Sequence, residues 1–161
     1  MSAVEALPHA PMATVVGLLE YLRAIPAGRE DLYKLGEPLG FELDDLLPVT
    51  EAAKRLGLVE VTDGDVLLTA QGRGLAGAED VDRKRLLGPR VAELPLIASI
   101  REALLARAER RVGKKSFVQL LEERYPPGEA EKQIATAIDW ARYGAVFDFD
   151  PDTEEFVLPV S

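Results

Sequence analysis

Gly72-Arg73-Gly74-Leu75-Ala76-Gly77 follows an apolar run and has the G-x-G-x-x-G spacing that, in the right setting, brings a backbone turn close to a pyrophosphate. That chemistry also needs a βαβ unit with a second parallel strand and an acidic residue about 20 positions on. The residues that follow, VDRKRLLGPRVAEL, read as a polar helix, so no cofactor-binding residue is assigned here. Asp148-x-Asp150-x-Asp152 begins like a calcium loop, but Thr153 stands where the loop turns on Gly and Pro159 where it closes on Glu. A polar hairpin turn is the better reading, since Asp and Pro favour turns. The single histidine, His9, lies in a Pro-containing lead without a neighbouring nucleophile or partner for acid-base work. Asp44-Asp45 and Glu122-Glu123 are adjacent pairs, which on a helix point about 100° apart and do not face each other as a dyad.

The chain has no Cys, which removes thiolate nucleophiles, disulfides and Cys-ligated metal sites together. No G-x-x-x-x-G-K-[ST] phosphate loop is present in these residues either, so ATP hydrolysis is expected only of a separate or fused partner. The expectation is a protein that is not an enzyme, with no catalytic, cofactor or metal residues.

Charge narrows the partners. The net charge is −9, with 6 basic and 12 acidic groups in residues 1–78 and 13 and 16 in residues 79–161. Polyanions are held largely by Lys and Arg at their phosphates, so neither half suits duplex DNA or an anionic membrane as its main partner. One basic cluster stands out: Arg107, Arg110, Arg111, Lys114 and Lys115 in RAERRVGKK. Cations at a helix C-terminus followed by a solvated turn account for it more simply than a phosphate patch. With 47% hydrophobic and 29% charged residues, the chain has the composition of a folded globular protein. Its start, MSAVEALPHAPMATVVGLLEYL, lacks the basic segment of a signal peptide, and no apolar run approaches the length of about 20 residues that spans a bilayer. A cytoplasmic setting is expected.

The elements that must carry these residues follow from apolar periodicity. Thr14 to Ile25 reads as a helix, with Val15, Leu18, Leu19, Leu22 and Ile25 at helical spacing. A second helix is predicted from Arg29 to Leu39 with Gly40 as a left-handed cap, and a third from Asp44 to Leu56 capped by Gly57. Leu58 to Thr62 and Val66 to Thr69 form a hairpin about Asp63-Gly64, and Thr69 leads into another helix. Asp80 to Leu94 reads as a connecting helix interrupted or kinked at Gly88-Pro89.

Then the pattern starts over. Helices are predicted over Leu96 to Ala108, Ser116 to Tyr125 and Glu129 to Tyr143, with strands over Val146 to Phe149 and Glu155 to Leu158. AAKRLGLVEV around Gly57 aligns with DWARYGAVFDF around Gly144, a weak internal repeat. The fold class expected is mainly α with small β-hairpins (α+β), as a tandem winged helix-turn-helix. Its parts are a lead over 1–12, a first winged-helix unit over 13–78, a connecting helix over 79–94 and a second unit over 95–161.

A DNA-reading winged helix presents the start of its third helix to base edges and its wing to phosphate. Here those places hold Asp44 and Asp45, then Glu60, Asp63 and Asp65. In the second unit they hold Glu129 and Glu131, then Asp148, Asp150, Asp152, Glu154 and Glu155. Acid at both places points to a protein partner. On the third helix of the second unit, Trp140 lies about 120° from the centre of the Ile134 stripe and Tyr143 about opposite it, near a flank or outer face. Packing between the two halves is the first reading for this pair, and an external contact the second. The candidate interaction surface therefore comprises Asp44, Asp45, Asp63, Asp65, Gln133, Trp140, Tyr143, Arg110, Arg111, Lys114 and Lys115.

GLLEYL, REDLYKLGEPLG, ELDDLLPVTEAAKRLGLVEV, DGDVLLTAQGR and EAEKQIATAIDWARYGAVFDFD occur in this order over nearly the whole chain. In these blocks the sequence resembles the AAA-associated C-terminal domain, an appendage of ATP-binding subunits of nitrate, sulfonate and taurine-type ABC transporters. The resemblance implies a non-catalytic regulatory or protein-interaction module. Its partner would be such an ATP-binding subunit or the permease, which would set it in the cytoplasm at the inner face of the membrane. A winged-helix transcription regulator is the alternative.

Overall fold

A computed structural model describes residues 6–159. They form a mainly helical α+β protein with two small antiparallel sheets of three strands each. The described residues divide into two units, one of residues 8–83 and one of residues 84–159 joined by Ala6 and Leu7.

In the first unit the chain runs through α1 (Met12–Ala24), β1 (Arg29–Asp31), a 3-10 turn (Leu32–Lys34), α2 (Gly36–Leu39), α3 (Leu43–Arg55), β2 (Val59–Thr62), β3 (Asp65–Leu68) and α4 (Ala70–Gly77). α1 buries Met12, Val15, Val16, Leu18, Leu19 and Leu22 because it packs against both α3 and α4. Thr69 starts α4: its hydroxyl accepts from Gly72 N at 3.0 Å and donates to Gly57 O at 2.9 Å, tying the new helix to the end of α3. Gly72 lets α4 lie on the start of β2, since a Cβ there would stand 2.0 Å from Leu58 O.

The helix predicted from Arg29 to Leu39 is replaced by a strand, a 3-10 turn and one helical turn. The cause is tertiary. Gly28, at φ 62°, redirects the chain so that Arg29, Glu30 and Asp31 pair with Leu67, Val66 and Asp65 of β3.

α5 (Asp80–Ala92) leads into the second unit. It runs on through Pro89, so the helix is not interrupted at Gly88-Pro89. Gly88 has a packing role instead, because a Cβ there would meet Gly144 O at 2.6 Å. After α5 come α6 (Pro95–Leu105), β4 (Arg111–Gly113), α7 (Lys114–Glu122), α8 (Pro127–Tyr143), β5 (Asp148–Asp150) and β6 (Glu155–Val157). Phe156 anchors this core, with Phe117, Phe147 and Phe149 edge-on to it at 5.5 to 5.7 Å between ring centres.

The strand orders match: β1-β3-β2 in one unit and β4-β6-β5 in the other. The match extends to single bonds. Leu68 N donates to Gly28 O at 2.8 Å as Leu158 N does to Arg110 O at 3.0 Å, and Leu32 N to Gly64 O at 2.8 Å as Lys114 N to Glu154 O at 2.9 Å. By ladder register, Val59, Val61 and Val66 correspond to Phe147, Phe149 and Phe156. This register shifts the repeat by one residue from the Gly57-Gly144 alignment. Gly57 corresponds to Ala145, both at positive φ (74° and 57°), while Gly144 corresponds to Leu56. Gly144 is small for its contact with Gly88, not to form a left-handed cap.

Candidate protein-interaction surface

α3 sets out the first part of the surface. Leu46, Val49, Thr50, Ala52 and Ala53 face the core, and Thr50 satisfies its buried hydroxyl by donating to Leu46 O at 3.0 Å. Leu43 and Leu47, one turn apart, point away and are 41% and 45% exposed. Asp44 and Asp45 stand exposed beside them, in the first turn, where the helix dipole favours carboxylates. The exposed face of α3 is thus apolar and acidic at once. By register Leu43 and Leu47 correspond to Glu131 and Ala135 on α8, so the equivalent helix carries no such leucine pair.

The hairpin of β2 and β3 adds exposed acid at Glu60 and Asp63. Asp65 is engaged: its carboxylate accepts from Arg29 at 2.7 Å across the sheet. Val61, on β2, is among the exposed apolar side chains of this unit, together with Tyr33.

In the second unit most of the predicted basic and aromatic residues turn inward or pair off. Arg110 holds a left-handed backbone (φ 54°), and its guanidinium donates to the carbonyls of Leu104 and Leu105 at the end of α6. Arg111 donates to Glu155 at 2.9 Å, to Asp150 at 2.7 Å and to Thr153 at 3.3 Å. The acceptor bonds hold Glu155 below its ordinary carboxylate range, chiefly through Arg111. Asp150 is lowered first by the backbone N–H of Asp152 and then by Arg111, while the two carboxylates raise the Arg111 guanidinium further. Lys114 lies 3.4 Å from Glu131 and 3.7 Å from Glu154. Of the cluster, Arg107 and Lys115 stand exposed. The Asp148-x-Asp150-x-Asp152 run is likewise taken up, with Asp148 on Arg142 at 3.0 Å and Asp150 on Arg111.

Trp140 and Gln133 are corrections to the sequence reading, at 0% and 2% exposure. The buried stripe of α8 is Ala130, Gln133, Ile134, Ala137, Trp140 and Ala141, all within about 60° of Ala137. Ile138 is half-buried and lies off this stripe, so the buried face centres on Ala137 rather than Ile134 and takes in Trp140. Gln133 is buried because its amide works as a backbone surrogate: Oε1 accepts from Leu7 N at 2.7 Å and Nε2 donates to Leu7 O at 3.0 Å. Tyr143 is half-buried. His9, in the other unit, is exposed.

Among the described residues no buried side-chain nitrogen or oxygen lacks a partner, and no three His, Asp or Glu cluster at metal-binding distance. No helix of the described residues is long and apolar enough to cross a membrane. What the site offers chemically is an exposed apolar pair with two carboxylates, Asp44 and Asp45, exposed in the same part of the helix. The fold and site are those of a two-unit α+β module. The family model of the C-terminal AAA-associated domain matches residues 33–150, and the chain belongs to that family. No curated protein and no solved structure matches the chain.

Proposed function

We propose that the chain is a tandem winged helix-turn-helix module that binds protein through the outward face of α3 and the acidic β2–β3 hairpin, and regulates or assembles the ATP-binding subunit of an ABC-type anion transporter. The winged-helix reading is supported by an element order of helix, strand, helices and hairpin in each unit, with the first strand paired to the last. The observation that carries the functional reading is the exposure of Leu43 and Leu47 beside Asp44 and Asp45. A helix inserted in a DNA groove meets phosphates on both sides, so carboxylates there oppose binding. Two leucines one turn apart instead suit an apolar socket on a protein, and acid around them selects one rimmed with Lys and Arg. Membership of a family named for its association with AAA proteins supports an ATPase as the partner.

Co-purification of the tagged chain with transporter subunits from the source organism, in mild salt, tests this reading. Recovery of an ATP-binding subunit is expected, together with no salt-sensitive gel shift of random duplex DNA. Retention of duplex DNA without any transporter subunit would reverse the reading.

A further inference from the structure

We infer that the second unit carries a binding site for a small organic phosphate monoester, in a cleft of about 610 Å³ between α5, α6 and the start and end of the β5–β6 hairpin. Its walls bring together Lys84 and Arg85 from α5 and Arg101 from α6, and no acidic residue lines it. The floor is apolar, formed by Pro89, Ala92, Val146 and Leu158.

Two features set this cleft apart from an ordinary charged surface. Acids outnumber bases 28 to 19 in the chain, and Arg29, Arg55, Arg83, Arg111, Lys114 and Arg142 are each paired with Asp or Glu. The three cations of the cleft make no ion pair with another described residue. Like charges held together without counter-charge repel one another, which an anionic occupant relieves. The floor is also built in: Gly88 and Gly144 touch backbone to backbone, and side chains at either would push α5 from the end of α8. The face of α5 turned to the cleft is set by the spacing of Lys84, Gly88 and Ala92.

The ligand class follows from these walls. A guanidinium fork matches phosphate oxygens bidentately, and a monoester brings a charge of about −1.5 to −2 against the three cations. A single carboxylate would leave most of that charge unmatched. The floor takes an apolar organic group, and the cleft volume lies in the range of small-molecule sites. This site uses other residues and another unit than the α3 surface, and it stands or falls apart from that reading.

The test is an amide-resolved NMR titration of the full chain with phenyl phosphate as the probe, alongside inorganic phosphate and phenol. Saturable shifts are expected at Gly88, Ala92, Ala145 and Leu158 with phenyl phosphate, weaker ones with inorganic phosphate, and none with phenol. Arg101→Gln and Arg85→Gln should each weaken phenyl phosphate by about tenfold, the loss of one charge-assisted contact. Lys115→Gln, outside the cleft, should leave it unchanged. The same spectra report that each variant is folded. Absence of shifts, shifts centred on Arg107 and Lys115, equal response to phenol, indifference to Arg101→Gln, or binding to anionic vesicles without binding of phenyl phosphate would each overturn the site.

Discussion

Leu43 and Leu47 lie one helical turn apart on the outward side of α3, both more than two-fifths exposed, while the residues of α8 at the same register are Glu131 and Ala135. Two units built alike thus differ in what their third helices show to solvent. Leaving leucines exposed costs solubility, and the pair on α3, together with exposed Val61 on β2, is the observation on which the proposed docking surface rests.

The G-x-G-x-x-G run gives a clean contrast between packing and ligand binding. Gly72→Ala forces a Cβ against Leu58 O and should cost about 2–4 kcal/mol in urea denaturation. Gly74→Ala meets nothing within 4 Å inside α4 and should stabilise by up to about 1 kcal/mol, as the helix preference of Ala over Gly predicts. Equal effects from the two substitutions would contradict this account of the run.

Gln133→Ala should cost about 1–3 kcal/mol, because the buried N–H and C=O of Leu7 lose the amide that satisfies both. Hydrogen exchange at the Leu7 amide distinguishes this from a mere cavity: it should accelerate strongly while the amides of α7 change little. Unchanged protection at Leu7 would show that the pairing does not hold the segment.

The Arg111 network predicts an acid-sensitive second unit. Asp150 and Glu155 have folded pKa values lowered from their ordinary ones, so their contribution is present in full above the unfolded carboxylate range of about pH 4 and is lost as pH falls through the folded values. Arg111→Gln should therefore flatten the loss of stability between neutral pH and acid, measured by urea denaturation at a series of pH values. Glu155 should respond more than Asp150, whose lowering comes chiefly from the backbone N–H of Asp152 rather than from Arg111. An acid limb identical to that of the unsubstituted chain would contradict the network.

Much of this fold was legible in the sequence because its helices carry apolar stripes and its hairpins carry turn residues. Asp63-Gly64, Thr69 and the left-handed Gly40 and Gly57 all stand where the pattern puts them. The strands Arg29–Asp31 and Arg111–Gly113 were not legible. Each is only three residues long, and each exists through pairing with a strand far along the chain, which no local period records. The candidate surface divides the same way. Asp44, Asp45 and Asp63 are exposed as their types suggest, whereas Arg110, Arg111 and Lys114 are consumed by partners that only folding brings near. The exposed leucines could have been found by asking which apolar residues of the third helix lie off its buried stripe: Leu43 and Leu47 do.

The most direct measurement is the affinity of the chain for a purified transporter ATP-binding subunit, with Leu43→Asp/Leu47→Asp compared with Ala135→Asp at the register-equivalent place on α8. All three positions are exposed, so thermal stability should change by no more than about 0.5 kcal/mol per site. The double leucine variant should bind at least about 100-fold more weakly, a loss of about 2.7 kcal/mol, and Ala135→Asp should bind as the unsubstituted chain does. Undiminished binding by the folded double variant, or an equal loss from Ala135→Asp, would contradict the assignment of the α3 face as the docking surface.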